Sequence, residues 1–518
     1  MKINSSLSLV AQTVISAINS DATLSATSLG ATNAFGAVVV SPKGAPFKVL
    51  PVNQDNWKAT LGKPYHPSAG TKADCLRQLG ESVSASNGFV VRAVAADAAY
   101  PIIHAHKSGG STPFFTGTET TYGNTVATPA GSWATFNIID GDSARTRKLS
   151  VTPSSDGSKD ILIELFEDNP TTGIDQLIKD WTVNLSFDAV DDLGQPIYIE
   201  TPINKHEVLS VKVDPAAIFS EVEVLDKAEF TKANDGGAIT AADMIKALDL
   251  LHNSTHYLTA YVAMGLYEAT YLQKLAQYSN ERLIDCFADV SPLLTYAAAL
   301  TEATSLGINN YHVSMHHFPV IAEDPYYGGE AIWGVSGAVF AAKAKGRNIT
   351  TGGTIGVHYS PAGVDLATLP RANTRLMDGV GVPDYNAMVT ARLNKFSAKG
   401  GNLFIDDSLT MWSRNDNLQL QHVGAVADEI SKRFYQGSDD LRHKPDGTTE
   451  RGLKKLLQKI GDDFVASGAL VKPSDPANGD AEFTYEVKKA SFDTWSCRWF
   501  LSITGTNRIT IGEPILVG

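Results

Sequence analysis

The chain has 518 residues, of which 43% are hydrophobic and 19% are charged, and its formal net charge is −13. This is an ordinary globular composition, and the length suits roughly three or four domains with substantial cores. The acidic balance argues against a protein that wraps nucleic acid, because such proteins carry basic surfaces that neutralise phosphates.

The cysteines and the apolar runs limit the compartment in which the chain folds. Cys75, Cys286 and Cys497 are far apart and odd in number, which argues against a disulfide framework or a zinc knuckle. The first twenty residues lack the continuous apolar core of a signal peptide, and no run approaches the ~18 apolar residues of a membrane span. We therefore expect a soluble chain that is made in the cytoplasm and does not insert into a membrane.

The predicted elements begin with a loose arm. Residues 1–30 are rich in Ser, Ala, Thr and Asn, and such a segment buries little by itself. Two short strands are predicted at 38–40 and 47–52, around a turn rich in Pro and Gly. A short helix at 57–61 follows, ended by Gly62, and then a strand in GFVVRAVAADA at 88–98.

The periodicity of the pattern changes twice after this point. From about residue 105 to about 205, alternating residues and turns such as Ser155-Asp156-Gly157 predict an antiparallel, β-rich insertion. Residues 240–350 instead alternate helical segments such as AADMIKALDLLHN with apolar strands such as RLIDCFADV. This order predicts a mostly parallel sheet covered on both faces.

The last third of the chain is predicted to be mixed. Helices are expected at 420–435 and 450–465, followed by a hairpin around Tyr485 and Cys497. The closing segment, RITIGEPILVG, has the pattern of a terminal strand.

Ser336 is the candidate nucleophile for an enzyme. It lies among small residues in WGVSGAVFAAKA, at the start of a predicted helix. A nucleophilic serine needs a base within hydrogen-bond reach, and subtilisin-like proteases supply it from a His-Gly pair. None of the twelve histidines here is followed by glycine. Close packing of helix on sheet through Gly334, Ser336 and Gly337 explains the small residues, and a serine hydrolase using Ser336 is the alternative.

The histidines do not predict a metal site. His312 and His316 share a face of a predicted strand beside His317, and His252 and His256 lie in another segment. A metal needs a further ligand and partners that orient the ligands, which this spacing does not supply. Histidines satisfied within the fold are the simpler interpretation.

Nucleotide binding and acid/base catalysis are also poorly supported. Gly62-Lys63-Pro64 has proline where a phosphate loop has Ser or Thr, and TTGGTIG at 350–356 lacks the dinucleotide-binding spacing. The carboxylate pairs Asp191-Asp192 and Asp406-Asp407 are sequence neighbours, which face opposite ways on an extended chain. We therefore predict no catalytic residue, no cofactor and no metal.

A basic helix face is the one surface that suggests a partner. In TERGLKKLLQKIGDDFV, an apolar stripe at helical spacing consists of Leu453, Leu456, Leu457, Ile460 and Phe464. The basic residues mostly away from this stripe are Arg451, Lys454, Lys455 and Lys459. Such a face suits an acidic partner, and a solvated face is the alternative.

Several blocks occur in a characteristic order. They are GAPFKVLPVNQDNWKATLGKP, GFVVRAVAADA, WTVNLSFDAVDDLGQPIYIETPINKHE, a series from ALDLL through CFADV, YAAALTEA and FPVIAEDP to GVSGAVFAAKA, and NRITIGEPILVG. In order and spacing they resemble the sheath protein of a contractile phage tail. The first block resembles that family's early hairpin-and-helix unit, and the series resembles its subtilisin-like central domain. The resemblance covers roughly residues 30–518, although 400–440 lacks the Arg-rich helix that many sheaths have there.

The resemblance implies a multidomain α/β fold with exchanged terminal strands. The implied parts are a linker arm at 1–30, a non-catalytic central core at 31–104 and 206–350, an outward-facing β-rich insertion at 105–205, and a C-terminal sheath domain at 351–518. It also implies a structural subunit without enzymatic activity, which polymerises as a helical cylinder and contracts. A sheath of a phage-derived bacteriocin or injection system is the alternative within this class.

The implied partners are other copies of the chain, the tail tube protein, and the baseplate and tail terminator proteins. Direct contact with nucleic acid is not implied. The implied location is the tail of a virion, after assembly in the host cytoplasm.

Strand addition between copies is the expected tether, because its backbone hydrogen bonds survive a hinge in the linker. In the closing strand, apolar residues alternate on one face, and Pro514 is tolerated near an edge. The residues expected to link subunits are Leu7, Leu9, Val14, Ile15, Ile509, Ile511, Ile515 and Val517. The residues expected to face the tube are Arg451, Lys454, Lys455 and Lys459.

Overall fold

A computed structural model of the chain describes residues 33–110, 112–119, 126–142, 145–169, 172–351, 354–475, 477, 479–506 and 508. The strands in these ranges are, in chain order, β1 (Ala34–Val39), β2 (Val49–Val52), β3 (Asn87–Arg92), β4 (Tyr100–His106), β5 (Phe114–Glu119), β6 (Ser132–Ile138), β7 (Arg147–Pro153), β8 (Ile161–Asp168), β9 (Asp175–Val183), β10 (Leu209–Val213), β11 (Leu225–Glu229), β12 (Ala260–Val262), β13 (Asp285–Asp289), β14 (Val313–His316), β15 (Val320–Glu323), β16 (Glu330–Ile332), β17 (Thr350–Thr351), β18 (Thr354–Ile355), β19 (Arg375–Leu376), β20 (Leu393–Asn394), β21 (Phe396–Lys399), β22 (Asn402–Ile405), β23 (Phe483–Lys489) and β24 (Trp495–Leu501).

The α-helices in the same ranges are α1 (Trp57–Leu61), α2 (Cys75–Val83), α3 (Glu200–Ile203), α4 (Ala241–His252), α5 (Ala269–Arg282), α6 (Tyr296–Ser305), α7 (Ser336–Arg347), α8 (Val364–Ala367), α9 (Tyr385–Thr390), α10 (Gln421–Asp439) and α11 (Asp446–Ala466). Short 3-10 helices occupy Pro67–Ala73, Phe219–Glu221 and Asn417–Gln419.

Seven strands form the central sheet, in the order β2-β3-β1-β12-β13-β14-β20. Every neighbouring pair is parallel except β2 and β3. Strand β1 is buried on both faces: Val38 belongs to one core, and Ala37 and Val39 belong to the other. A strand covered on both faces has a near-continuous apolar sequence, as β1 does. The predicted fold class, a mostly parallel covered sheet, is confirmed.

Helices cover the two faces of this sheet in separate layers. Leu248 of α4, Leu275 of α5 and Ala299 of α6 are buried on one face. Leu79 of α2 and Phe340 of α7 are buried on the other face. The alternation of helices and strands predicted for 240–350 is confirmed. On the second face, α2 packs against the first residues of α7.

The first two strands do not form the hairpin that the resemblance implied. Strand β3 lies between them, parallel to β1 and antiparallel to β2. The loop after β1 wraps around the buried Arg92 of β3, whose Nε donates to Ser41 O at 2.8 Å and whose Nη1 donates to Gly44 O at 3.0 Å. The implied hairpin is wrong, because this loop carries the chain across β3. The short helix ended by Gly62 is confirmed as α1.

Two four-stranded antiparallel sheets, β10-β6-β4-β5 and β11-β7-β8-β9, pack around one further core. Strand β8 shows the predicted alternation: Ile161, Ile163 and Leu165 are buried, and Leu162 is exposed. The strands of these sheets lie between Tyr100 and Glu229. A division into domains at 105 and 205 stays a prediction.

The last part of the described chain has its own core, formed by α10, α11 and the hairpin β23–β24. Leu453, Leu457, Ile460 and Phe464 of α11 are buried in it, and Leu456 is partly buried. The apolar stripe predicted from helical spacing therefore packs inward.

Candidate functional site

Ser336 is the first residue of α7 and is completely buried. Its Oγ donates to Gln78 Oε1 of α2 at 2.6 Å, and its backbone N–H donates to Asp289 Oδ2 at 2.9 Å. The hydroxyl proton therefore goes to an amide oxygen, which is not the base that a nucleophilic serine requires. The N–H of Gly337 donates to the same Gln78 oxygen. These contacts join α7 to α2 and suit a packing role.

Two carboxylates receive the backbone N–H groups at the start of α7. Val335 and Ser336 donate to Asp289 Oδ2 at 3.1 and 2.9 Å, and Gly334 donates to both oxygens of Asp74 at 3.0 and 3.1 Å. The first N–H groups of a helix have no partner inside it, and the helix dipole favours negative charge there. Burial raises the pKa of Asp74, and burial together with the charge of Asp74 raises the pKa of Asp289 to about 7.

The raised pKa of Asp289 gives a pH dependence with a definite sign. The folded chain holds this proton up to about pH 7, whereas an unperturbed aspartate releases it near 3.8. The stability that this bound proton gives the fold is therefore fully present below about pH 4 and is lost as the pH rises through 7. The loss in the free energy of unfolding is on the order of 4 kcal/mol. We expect the free energy of unfolding of the wild type minus that of Asp289→Asn to fall by this amount between pH 4 and pH 8. Urea unfolding at both pH values measures it, and a constant difference would contradict the assignment.

The histidines singled out by their spacing have separate surroundings. His316 is completely buried on β14, and burial lowers its pKa to about 3. The others contact different neighbours: His312 with Asp428 (Nε2–Oδ2 2.9 Å), His317 with the carbonyl of Leu294, His252 with the ring of Tyr278, and His256 with the ring of Phe89. Within the described ranges, no three His, Cys, Asp or Glu side chains are grouped as metal ligands.

The adjacent carboxylates also have different partners. Asp191 accepts the backbone N–H groups of Leu193 and Gln195 and so closes a turn. Asp406 forms an ion pair with Lys395, whereas Asp407 forms one with Arg508. Neighbouring residues of an extended chain face opposite ways, as this division requires.

The basic face of α11 is exposed. Lys454 forms an ion pair with Glu450 at 2.7 Å, and Arg451 donates to the carbonyl of Gly447 at 2.9 Å. Lys455 and Lys459 are exposed on the same helix, away from the buried stripe. This face is free to meet another surface, and contact with a tube stays a prediction.

The hairpin β23–β24 is the candidate site for strand addition. Its register runs from Phe483 opposite Leu501 to Lys489 opposite Trp495. One face packs on the C-terminal core through alternate residues: Phe483, Tyr485, Val487, Trp495, Cys497, Trp499 and Leu501. In the part of the chain that the structure describes, this sheet has two strands only. Among the described residues, no strand pairs with the outer edge of β23, and an edge of this kind accepts an added strand.

The described residues beyond β24, 502–506 and 508, form a short terminal segment along the body. Val471 donates to the carbonyl of Ser502 and Thr504 donates to the carbonyl of Ala469, both at 2.9 Å. Arg508 pairs with Asp407 at the end of the segment. The hairpin was predicted from the sequence, but its open edge and the Arg508 contact were not.

The residues predicted to link subunits lie outside the described residues. They are Leu7, Leu9, Val14, Ile15, Ile509, Ile511, Ile515 and Val517. Their role stays a prediction.

Among the described helices, none has the length and hydropathy needed to cross a membrane. A scan against protein-family models and a search of curated proteins each found no match.

The fold itself matches solved structures. The sheath tail protein from Listeria innocua has a TM-score of 0.50 to this chain at 11% identity, covering 90% of this chain and 94% of the other. The chain has the fold of a sheath tail protein. A sheath tail protein from Desulfitobacterium hafniense is similar with a TM-score of 0.49 at 13% identity, covering 92% of this chain and 98% of the other. The sheath of an extracellular contractile injection system in its contracted state has a TM-score of 0.41 at 12% identity, covering 53% of this chain and 74% of the other.

On this sheath fold the candidate sites fall into two groups. Ser336, Asp74 and Asp289 lie inside the helix–sheet packing of the central part, where they hold the start of α7. The open hairpin, the terminal segment and the basic face of α11 lie on the C-terminal part. The second group is the one available to other molecules.

Proposed function

We propose that the chain is the structural subunit of a contractile tail sheath and polymerises as a helical cylinder around a tail tube. The observation that carries this proposal is the open-edged hairpin β23–β24, in a chain with the fold of a sheath tail protein. A subunit that offers a strand at one place and accepts one at another forms a heterologous contact. Heterologous contacts that do not close into a ring produce open helical polymers.

Contraction requires energy that is stored during assembly. The extended array is metastable and relaxes to a tighter one when it is released, so no nucleotide is needed. The central sheet suits this task, because its faces are covered by buried side chains and the body moves as a rigid unit. Added strands keep neighbouring copies attached while their bodies rotate.

The work done by contraction is to drive the tube through a host envelope. The basic face of α11, with Arg451, Lys454, Lys455 and Lys459, is the surface we assign to the tube. Baseplate and tail terminator proteins hold the ends of the cylinder. The particle is a virion that delivers a genome or a related injection system, assembled in the host cytoplasm, without direct contact with nucleic acid or insertion into a membrane.

We assign no catalytic activity to Ser336, because its hydroxyl donates to Gln78 and is completely buried. A fluorophosphonate probe should therefore not label the native chain. Stoichiometric labelling that disappears in Ser336→Ala would contradict this assignment and support a serine hydrolase.

Electron microscopy of the purified chain tests the proposed function. Long hollow cylinders are the expected result as the protein concentration rises. Particles that stay strictly monomeric at high concentration, in buffers of low and high ionic strength, would contradict it.

A further inference from the structure

The terminal segment (502–506 and 508) is attached to the body at two separated places. The first is next to the hairpin, where Ile503 pairs with Leu470 and the N–H of Thr504 donates to Ala469. Here His422 Nε2 also donates to the carbonyl of Thr504 at 3.1 Å. Burial, with the charge of Lys343, lowers the pKa of His422 to about 4, so the ring is neutral at pH 7 and Nε2 carries the proton.

The second attachment is the ion pair of Arg508 with Asp407. Arg508 Nε donates to Asp407 Oδ1 at 3.0 Å, and Nη2 donates to Oδ2, so the pair is bidentate. The Asp407 side chain is only 11% exposed, although that of Arg508 is 32% exposed. Bidentate pairs of this kind are stronger and more directional than ordinary surface ion pairs.

The loop that carries Asp407 is itself fixed to the body. The N–H of Ser408, the next residue, donates to Asp407 Oδ1 at 3.0 Å. The backbone carbonyl of Ser408 accepts the N–H of Gln421, the first residue of α10, at 3.1 Å. Its Oγ lies 2.7 Å from Ser360 Oγ. Asp407 is therefore a rigid anchor rather than a mobile surface carboxylate.

We propose that the Asp407–Arg508 ion pair positions the linking strand: it fixes the place and direction in which residues 509–518 leave the body toward a neighbouring copy. The inference rests on the proposed function. Four residues beyond Thr504 span at most about 14 Å, so the second attachment lies within that distance of the first. An exit fixed in this way reduces the conformational entropy that the strand loses when it adds to another sheet.

The anchor also transmits force. A pull on residues 509–518 enters the body at Asp407 and the start of α10, and does not peel the terminal segment from the hairpin. Because the pair is partly exposed, salt weakens it, and assembly becomes less favourable as ionic strength rises.

Charge reversal tests the anchor. We expect Asp407→Arg and Arg508→Asp each to raise the critical concentration for polymerisation about tenfold, with the double reversal returning it close to the wild-type value. The melting temperature of the Arg508→Asp monomer should stay unchanged, because Arg508 is the more exposed partner, whereas a merely structural role would lower it. Sedimentation of polymer at a series of concentrations gives the first quantity, and circular dichroism gives the second.

Glu330→Arg supplies a matched control. Glu330 also forms a bidentate ion pair, with Arg375, and the substitution makes the same change of charge on β16, which belongs to a different sheet from the hairpin β23–β24. Its critical concentration should equal that of the wild type. Any one of three results would overturn the anchor alone. Asp407→Arg could polymerise as well as the wild type, Glu330→Arg could show the same defect as Asp407→Arg, or the double reversal could fail to restore polymerisation. A wild-type chain that forms no polymer would overturn the proposed function, and this inference with it.

Discussion

A chain that lacks residues 509–518 is expected to remain a folded monomer and to form no cylinders. The deleted residues follow Arg508, which is the last described residue, and they carry the apolar alternation of Ile509, Ile511, Ile515 and Val517. If these residues add to an open edge of another copy in the wild type, then their deletion removes a row of backbone hydrogen bonds and one buried apolar face from each contact between subunits. Sedimentation and electron microscopy measure polymerisation, and thermal unfolding shows that the body is intact.

A matched pair of variants separates strand addition from a general effect of shortening the chain. Ile511→Asp should abolish polymerisation, because it places a charge on the apolar face of the added strand. Thr510→Asp, on the opposite face of the same strand, should polymerise nearly as well as the wild type. A truncated chain that still forms cylinders would exclude this tether.

Gly337→Ala is expected to destabilise the fold by about 3 kcal/mol. A Cβ at Gly337 would lie 2.2 Å from the backbone oxygen of Gln78 and 2.9 Å from Ser82 Oγ. The nearest atom belongs to the backbone of α2, so the two helices must move apart and the hydrogen bonds to Gln78 lengthen. Urea unfolding of the monomer measures the loss.

Gly447→Ala is the control for this substitution. Gly447 lies in the first turn of α11, and no atom lies within 4 Å of the position that its Cβ would take. Alanine there should stabilise the chain by up to about 1 kcal/mol, because it favours helix without a clash. If both variants changed the free energy of unfolding by the same small amount, that result would contradict the close contact between α7 and α2.

The central sheet was predictable because each of its elements has a local signal. The helices α4, α5 and α6 and the strands β12, β13 and β14 alternate in the sequence as they do in the fold. Helix α2 has a comparable signal, since Cys75, Leu76, Leu79 and Val83 form a buried face at helical spacing, but it was not recognised. The order of β1, β2 and β3 has no local signal, because it depends on the contacts of Arg92 with a loop some fifty residues earlier.

The candidate site was predictable in part for the same reason. Alternating aromatic and aliphatic residues around Tyr485 and Cys497 indicate a hairpin, and they also identify the face that packs inward. Whether an edge is open depends on the remaining strands, which a local pattern does not show. The pairing of Asp407 with Arg508 joins residues 101 apart in the sequence. Asp407 stood out only as the neighbour of Asp406, and no local pattern links it to Arg508.

A high-resolution electron-microscopy map of the assembled polymer tests the central claim most directly. We predict that residues 509–518 of one copy extend the β23–β24 sheet of another, with Arg508 still paired to Asp407 of its own body. A map in which these residues lie against their own subunit, with no sheet shared between copies, would contradict the account.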